Sequence, residues 1–331
     1  MNIQEMEKDL GKVVVIERKL KLSDEKIKYT FVITKIIYNY YYFYEIYEVN
    51  RNYSLEVRKD KLLSGDFKDP YHPTVFDIGY LGNLEGTVMD SNNRRVKYYR
   101  KWQDIFQRVI GHRYAKGILN HTYDEVSIDK RWHCFRNFYD WCENTRISNY
   151  HEGFELDKDL LYSKIYGPDT AVFLPRYLNV LLKQNRDSKL SPGVSINKNN
   201  KSGKTYYMSA ISLNDGKNTW LGLSHNELDA YSIYFIIKKI TLEMKAYEAL
   251  KNEDINKRIF EAFKNYYPLN YINKIYTKDY IINHLITKFQ LRKSSDERNN
   301  FKMIVCSFLN NLKLSDAGIK IIKEYLDLNI L

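Results

Sequence analysis

The chain has 331 residues, 44% hydrophobic and 15% aromatic, with 52 Lys+Arg against 41 Asp+Glu and a formal net charge of +11. That apolar content can fill real cores and excludes a disordered or acidic solvating chain, while 14 Gly and 6 Pro exclude collagen-like and Gly/Ser low-complexity classes. The basic balance favours polyanion partners, chiefly nucleic acid, through counterion release, although charge alone is equally compatible with an ordinary basic protein.

Part of the composition has a bland origin. The 30 Tyr, with many Lys, Asn and Ile, follow AT-rich codons. A run of about 18 apolar residues is missing, so no membrane-spanning helix and no membrane partner are expected. Met1 to Leu10 is polar and does not read as a secretory signal. Three scattered cysteines (Cys134, Cys142, Cys306) are too few for a disulfide framework or a cysteine zinc site, so a reducing, intracellular setting is expected.

In chain order, residues 11 to 63 predict an antiparallel β unit. Val13 to Ile16 is a β-branched run, and Tyr29 to Lys35 and Tyr38 to Val49 are dense in residues that suit a pleated surface. Asn50 to Asn52 is a turn, and Tyr53 to Val57 alternates as a returning strand. Gly65, Pro70 and Pro73 mark a turn-rich linker. Helix signals begin near Tyr98, where Trp102, Ile105, Phe106, Val109 and Ile110 form one apolar stripe. Trp132, Phe135, Phe138 and Trp141 recur every three residues and read as core rather than as a base-stacking platform. Val194–Asn197, Tyr206–Leu213 and Thr219–Leu223 predict three strands, with Asn214-Asp215-Gly216 as a tight turn. Ser224 or Asn226 can cap a helix from Glu227 to about Leu250, and residues 254 to 331 are helical by pattern.

The middle of the chain carries a resemblance. Trp132, Phe135, Phe138 and Trp141 precede Leu156-Asp157-Lys158-Asp159 and Tyr166-Gly167-Pro168-Asp169-Thr170, then Val172-Phe173-Leu174-Pro175 and Leu178-Asn179. This order resembles the phage HNH homing-endonuclease family. Downstream, Gly193-Val194-Ser195, Tyr207 to Ile211, Trp220-Leu221-Gly222 and Asp229-Ala230-Tyr231 resemble the Apetala-type DNA-binding domain, in which three antiparallel strands face the major groove and a helix packs behind.

The resemblance, which spans about Gly11 to Leu250, together with the helical pattern beyond it, implies an α+β protein with four parts. These are an N-terminal β unit (1–75), an HNH-like ββα segment (76–188), an Apetala-like domain (189–252) and a C-terminal helical module (253–331). It implies double-stranded DNA as partner, in a host cell cytoplasm or associated with a virion, and leaves a protein partner open for the C-terminal helices. Asp157 falls on the family's metal-binding aspartate and Asn179 on its metal-binding asparagine, for Mg2+ or Mn2+ if the chain cleaves DNA. No zinc is implied, because the N-terminal region lacks cysteines.

Lys158 stands where the family has its general-base histidine. A lysine is ordinarily protonated at neutral pH, so it can hold a phosphate but not accept a proton. Thr170 stands where an asparagine orients that base. His133, His151 and His225 are candidates for a displaced base, His151 standing six residues before Asp157, against the ordinary reading of a surface or satisfied core histidine. The rival reading of Asp157 to Asp159 is a solvated charged turn. Ser195, Ser212 and Asn218 occupy positions of base-reading arginines. Trp220 remains, and Lys198, Lys201, Lys204 and Lys217 would contact phosphates or else lie in ordinary solvated loops. Two functions therefore stand: a DNA-binding protein with metal-dependent nuclease activity, and an inactive descendant used for DNA binding, for regulation or as a virion-associated structural or interaction protein.

Overall fold

The computed structural model describes residues 6–83, 97–111, 125–182, 190–198, 203–212 and 218–268. The protein is α+β, with a four-stranded sheet near the N-terminus and helices dominating the later part. The chain divides into two compact units, residues 1–141 with 166–168, and residues 142–165 with 169–331.

The first unit opens on an antiparallel meander, β1 (Val13–Lys19), β2 (Lys26–Asn39), β3 (Tyr41–Glu48) and β4 (Tyr53–Arg58), in that spatial order. Alternation along β2 turns Tyr29, Phe31 and Ile33 into a core shared with Tyr44, Ile46 and Val57. The β2–β3 turn falls at Tyr40, with φ of 58°, later than the break near Ile36 that composition suggests. Ile36 and Ile37 stay in the ladder opposite Tyr44 and Phe43, so pairing partners rather than local propensity decide where the chain reverses. Glu48 is fully buried, and its carboxylate accepts the backbone N–H of Thr30 (3.0 Å) and of Arg51 (2.6 Å), which closes the β3–β4 turn.

A short helix, α1 (Lys59–Ser64), stops at Gly65, whose φ of 73° supplies the left-handed cap. Next comes α2 (Tyr99–Phe106), which continues into a π-helical turn at Gln107–Gly111. Its stripe of Trp102, Ile105, Phe106, Val109 and Ile110 is buried as predicted. After β5 (Ser127–Ile128), Asp129 caps a 3-10 turn and α3 (Phe135–Glu143) follows. Trp132 meets Phe138 and Trp141 edge-on at 5.0 and 4.8 Å, and the Trp102 indole donates to the Trp132 carbonyl at 2.7 Å. The aromatic stripe is core.

The second unit begins with a turn of helix, α4 (Thr145–Ser148), then β6 (Glu155–Asp157), β7 (Ile165–Tyr166), β8 (Val172–Leu174) and α5 (Arg176–Leu182). Strands β6 and β8 pair antiparallel. Farther on, β9 (Val194–Lys198), β10 (Thr205–Ser212) and β11 (Asn218–Ser224) form a three-stranded antiparallel sheet with β10 central. The predicted turn at Asn214-Asp215-Gly216 lies outside the described residues. Asn226, one of the two predicted caps, accepts the Asp229 N–H at 2.8 Å and starts α6 (Glu227–Lys251).

Helix α6 is the axis of this unit. Ala230, Tyr231, Tyr234 and Ile237 pack with Val194, Ile211 and Leu221 of the sheet, while Leu242, Ala246 and Ala249 join a second cluster with Leu174, Leu178 and Phe263. The last described helix is α7 (Lys257–Asn265). The rest of the predicted C-terminal module, residues 269–331, lies outside the described residues.

Candidate functional site

Strand β6, strand β8 and helix α5 follow one another as hairpin then helix, and they carry the predicted HNH residues. Leu156 sits opposite Phe173 and Asp157 opposite Val172. Asp157 is 6% exposed and Lys158 4% exposed, so this is not a solvated charged turn. Leu160 beside them is buried in the second cluster, which pulls the short 3-10 turn Asp159–Leu161 inward. The Asp157 carboxylate accepts the Leu160 N–H at 2.8 Å, and the Lys158 ammonium contacts Asp159 at 2.6 Å. Asn179 on α5 is buried as well, and its Nδ2 donates to the Glu155 carboxylate at 2.6 Å. Arg176 approaches the same carboxylate at 3.7 Å. Sequence reasoning missed Glu155. The available signal was strand alternation, which puts residues 155 and 157 on one face. The Thr170 hydroxyl donates to the Ile165 carbonyl at 2.7 Å, which ties the loop between β7 and β8.

Burial dominates the acid–base behaviour of Asp157. Desolvation, reinforced by the Asp159 charge, pushes its carboxyl from 3.8 up to about 7. Below the unfolded value both states are protonated and the stabilising contribution is complete. As pH rises the unfolded chain ionises first, and the contribution is lost as pH climbs through about 7. The span corresponds to as much as about 4 kcal/mol. Asp157→Asn keeps an acceptor for Leu160 and removes the titration. We expect it to be near neutral at about pH 4, and to stabilise the protein at about pH 8 by up to about 4 kcal/mol. Thermal unfolding across pH checks this. A variant less stable than the parent at the higher pH would contradict it.

A hard divalent metal needs several oxygens converging at about 2.0–2.6 Å. Asp157, Glu155 and Asn179 offer oxygens of the right kind. As placed, Asp157 accepts a backbone N–H, and the Asn179 amide nitrogen rather than its oxygen faces Glu155. Among the described residues no three His, Cys, Asp or Glu side chains group as a metal site. His151 lines a separate recess whose walls include neither Asp157 nor Asn179, and its ring leans on Phe154 at 4.9 Å. Burial lowers the His133 pKa, and the His225 ring packs beside Tyr206 at 5.4 Å.

The three-stranded sheet shows two different faces. Tyr207, Ile211 and Leu221 turn toward α6. Ser195, Tyr206 and Met208 alternate onto the other face, with Trp220 and Leu223 exposed at 62% and 48%. A register shift between Ser209 and Ala210 sets Ala210 beside Trp220 and Met208 beside Leu223, so Trp220 and Leu223, three positions apart, share the outer face. Lys198 and Lys204 are exposed at the β9–β10 end, while Lys201 and Lys217 lie outside the described residues. Among the described residues of β9, β10 and β11 there is no arginine, so this face can stack, make van der Waals contacts and hydrogen-bond through hydroxyls and amides.

Compared with protein-family models, with curated proteins and with solved structures, the chain matches none. Among the described residues no helix is long and apolar enough to cross a membrane.

Proposed function

We propose that this protein binds double-stranded DNA through the outer face of the β9–β11 sheet, and that the ββα hairpin serves as a folded support rather than a cleaving centre. The observation that carries this reading is the antiparallel three-strand sheet backed by α6, with Trp220 62% exposed on its free face and lysines at its edge, in a chain of net charge +11. Lysines position a duplex by its phosphates and read no sequence, so modest sequence preference follows. Affinity for a duplex, measured against salt, should fall steeply as ionic strength rises. Trp220→Ala should weaken binding roughly tenfold, about 1.4 kcal/mol, without lowering the melting temperature. Absence of duplex binding at low salt, or binding indifferent to salt, overturns the reading.

A second reading, cleavage with Mg2+ or Mn2+, is favoured by one observation. Glu155, Asp157 and Asn179 sit on the strand and helix of a single hairpin-then-helix unit. Its test is nicking of supercoiled plasmid with either metal. Nicking lost in Asp157→Ala would replace the first reading's supporting role for the hairpin with a catalytic one.

A further inference from the structure

The second unit has an open recess of about 370 Å³ where α4 meets the corner between α6 and α7. Its floor is pinned by two amides whose hydrogen bonds are spent on the protein. The Asn149 Nδ2 donates to the carbonyls of Phe173 (3.1 Å) and Asp254 (3.0 Å), and the Asn256 Nδ2 donates to the Arg146 carbonyl at 3.0 Å. The wall is different in character. Arg146, His151 and Lys257 line it, all exposed. Among the described residues the Arg146 guanidinium and the Lys257 ammonium take part in no ion pair or side-chain hydrogen bond. Glu253 is the one carboxylate in the lining.

A rigid floor with uncommitted cations on its wall suits an anion. The forked guanidinium matches two oxygens of one phosphate, and the lysine adds a point charge. The shape selects among anions. Small-molecule sites enclose most of their ligand, whereas this recess is open along one side and suits a group carried on a passing polymer. We infer that the recess takes a backbone phosphate of the same duplex that the sheet binds, as a second contact surface read by charge alone. The inference rests on the DNA-binding reading and adds to it a surface that the resemblance did not indicate. Arg146 and Lys257 were not among the predicted DNA contacts, because they lie more than 100 positions apart in sequence.

The test compares the full chain with Arg146→Gln/Lys257→Gln and with Glu253→Gln on one duplex over a salt series. Each phosphate neutralised contributes about 0.9 to the slope of log affinity against log salt, and the recess takes one, so the double variant should lose about 0.9. Its affinity penalty should therefore shrink about 3.5-fold between about 50 and 200 mM salt. Glu253→Gln, which removes the carboxylate from the wall, should bind more tightly at low salt. This single variant also decides the matter if the double variant unfolds. A parent that binds no duplex overturns the DNA-binding reading itself. A parent that binds, with slope unchanged in the double variant and affinity unchanged in Glu253→Gln, overturns the recess alone.

Discussion

Lys239→Met is expected to cost about 3–5 kcal/mol, because it removes one half of a buried, fully engaged charge pair. Lys239 is 2% exposed in the middle of α6. Its ammonium contacts Glu243 one turn on at 2.7 Å and donates to the carbonyls of Phe263, Lys264 and Tyr266 at 2.9, 2.6 and 2.6 Å. Those carbonyls belong to the end of α7, where the regular helix ladder runs out, although the Phe263 carbonyl also accepts the Tyr266 N–H at 3.2 Å. The side chain thus caps one helix from the interior of another, and the Tyr267 ring lies 4.4 Å from its nitrogen. Methionine matches the stem but takes the ammonium away from the buried Glu243 carboxylate and from all three carbonyls. At about 2–4 °C per kcal/mol for a unit of 150–250 residues, the melting temperature should drop by roughly 6–20 °C. Lys239→Met/Glu243→Leu should recover part of the loss, since the buried carboxylate goes while the carbonyls still lack the ammonium. A single variant melting within about 2 °C of the parent would show that water replaces the ammonium, and would sink the capping argument.

Gly193→Ala should be nearly as damaging, for a steric reason. Gly193 has φ of 72°, and a Cβ built there overlaps the ring of Tyr234. Tyr234 is buried on α6 against the sheet, so its ring has little room to withdraw. Left-handed backbone costs a non-glycine residue about 1–2 kcal/mol, and overpacking adds about 1–3. The Gly193 carbonyl also accepts the Ala210 N–H at 2.9 Å, so a shift of residue 193 is passed directly to the central strand. Stability should fall by roughly 2–5 kcal/mol, and duplex affinity should fall with it because the sheet loses its seat on α6. The steric part is separable. In a Tyr234→Leu background the same glycine substitution should cost less, since part of the clash is gone. Equal costs in the two backgrounds would refute the contact as the cause.

Much of the architecture is legible in the residues because it rests on local periodicity. Alternation in Tyr29, Phe31 and Ile33 announces a sheet with one buried face, and the meander follows from four such segments joined by turns. The stripe from Trp102 to Ile110 and the aromatic run from Trp132 to Trp141 are buried for the reason their spacing gives. Asn226 caps α6 because a short side chain with an acceptor oxygen, two residues before a polar-to-apolar transition, serves the orphan N–H groups there.

Tertiary structure alone decided which polar groups left water. The run Leu156-Asp157-Lys158-Asp159 looks like a surface turn, and its burial comes from Leu160 docking into a cluster that includes Phe263, about 100 positions away. A similar distance separates Asn149 from the Asp254 carbonyl it holds and Arg146 from Lys257 across the recess, and 24 to 27 positions separate Lys239 from the carbonyls it caps. Periodicity reports the face a side chain occupies on its own helix or strand. The charge state of Asp157, the partner of Asn179 and the coordination of Lys239 depend on what packs over that face. Desolvation is set by the neighbours that exclude water, and in this chain those neighbours come from segments far apart in sequence.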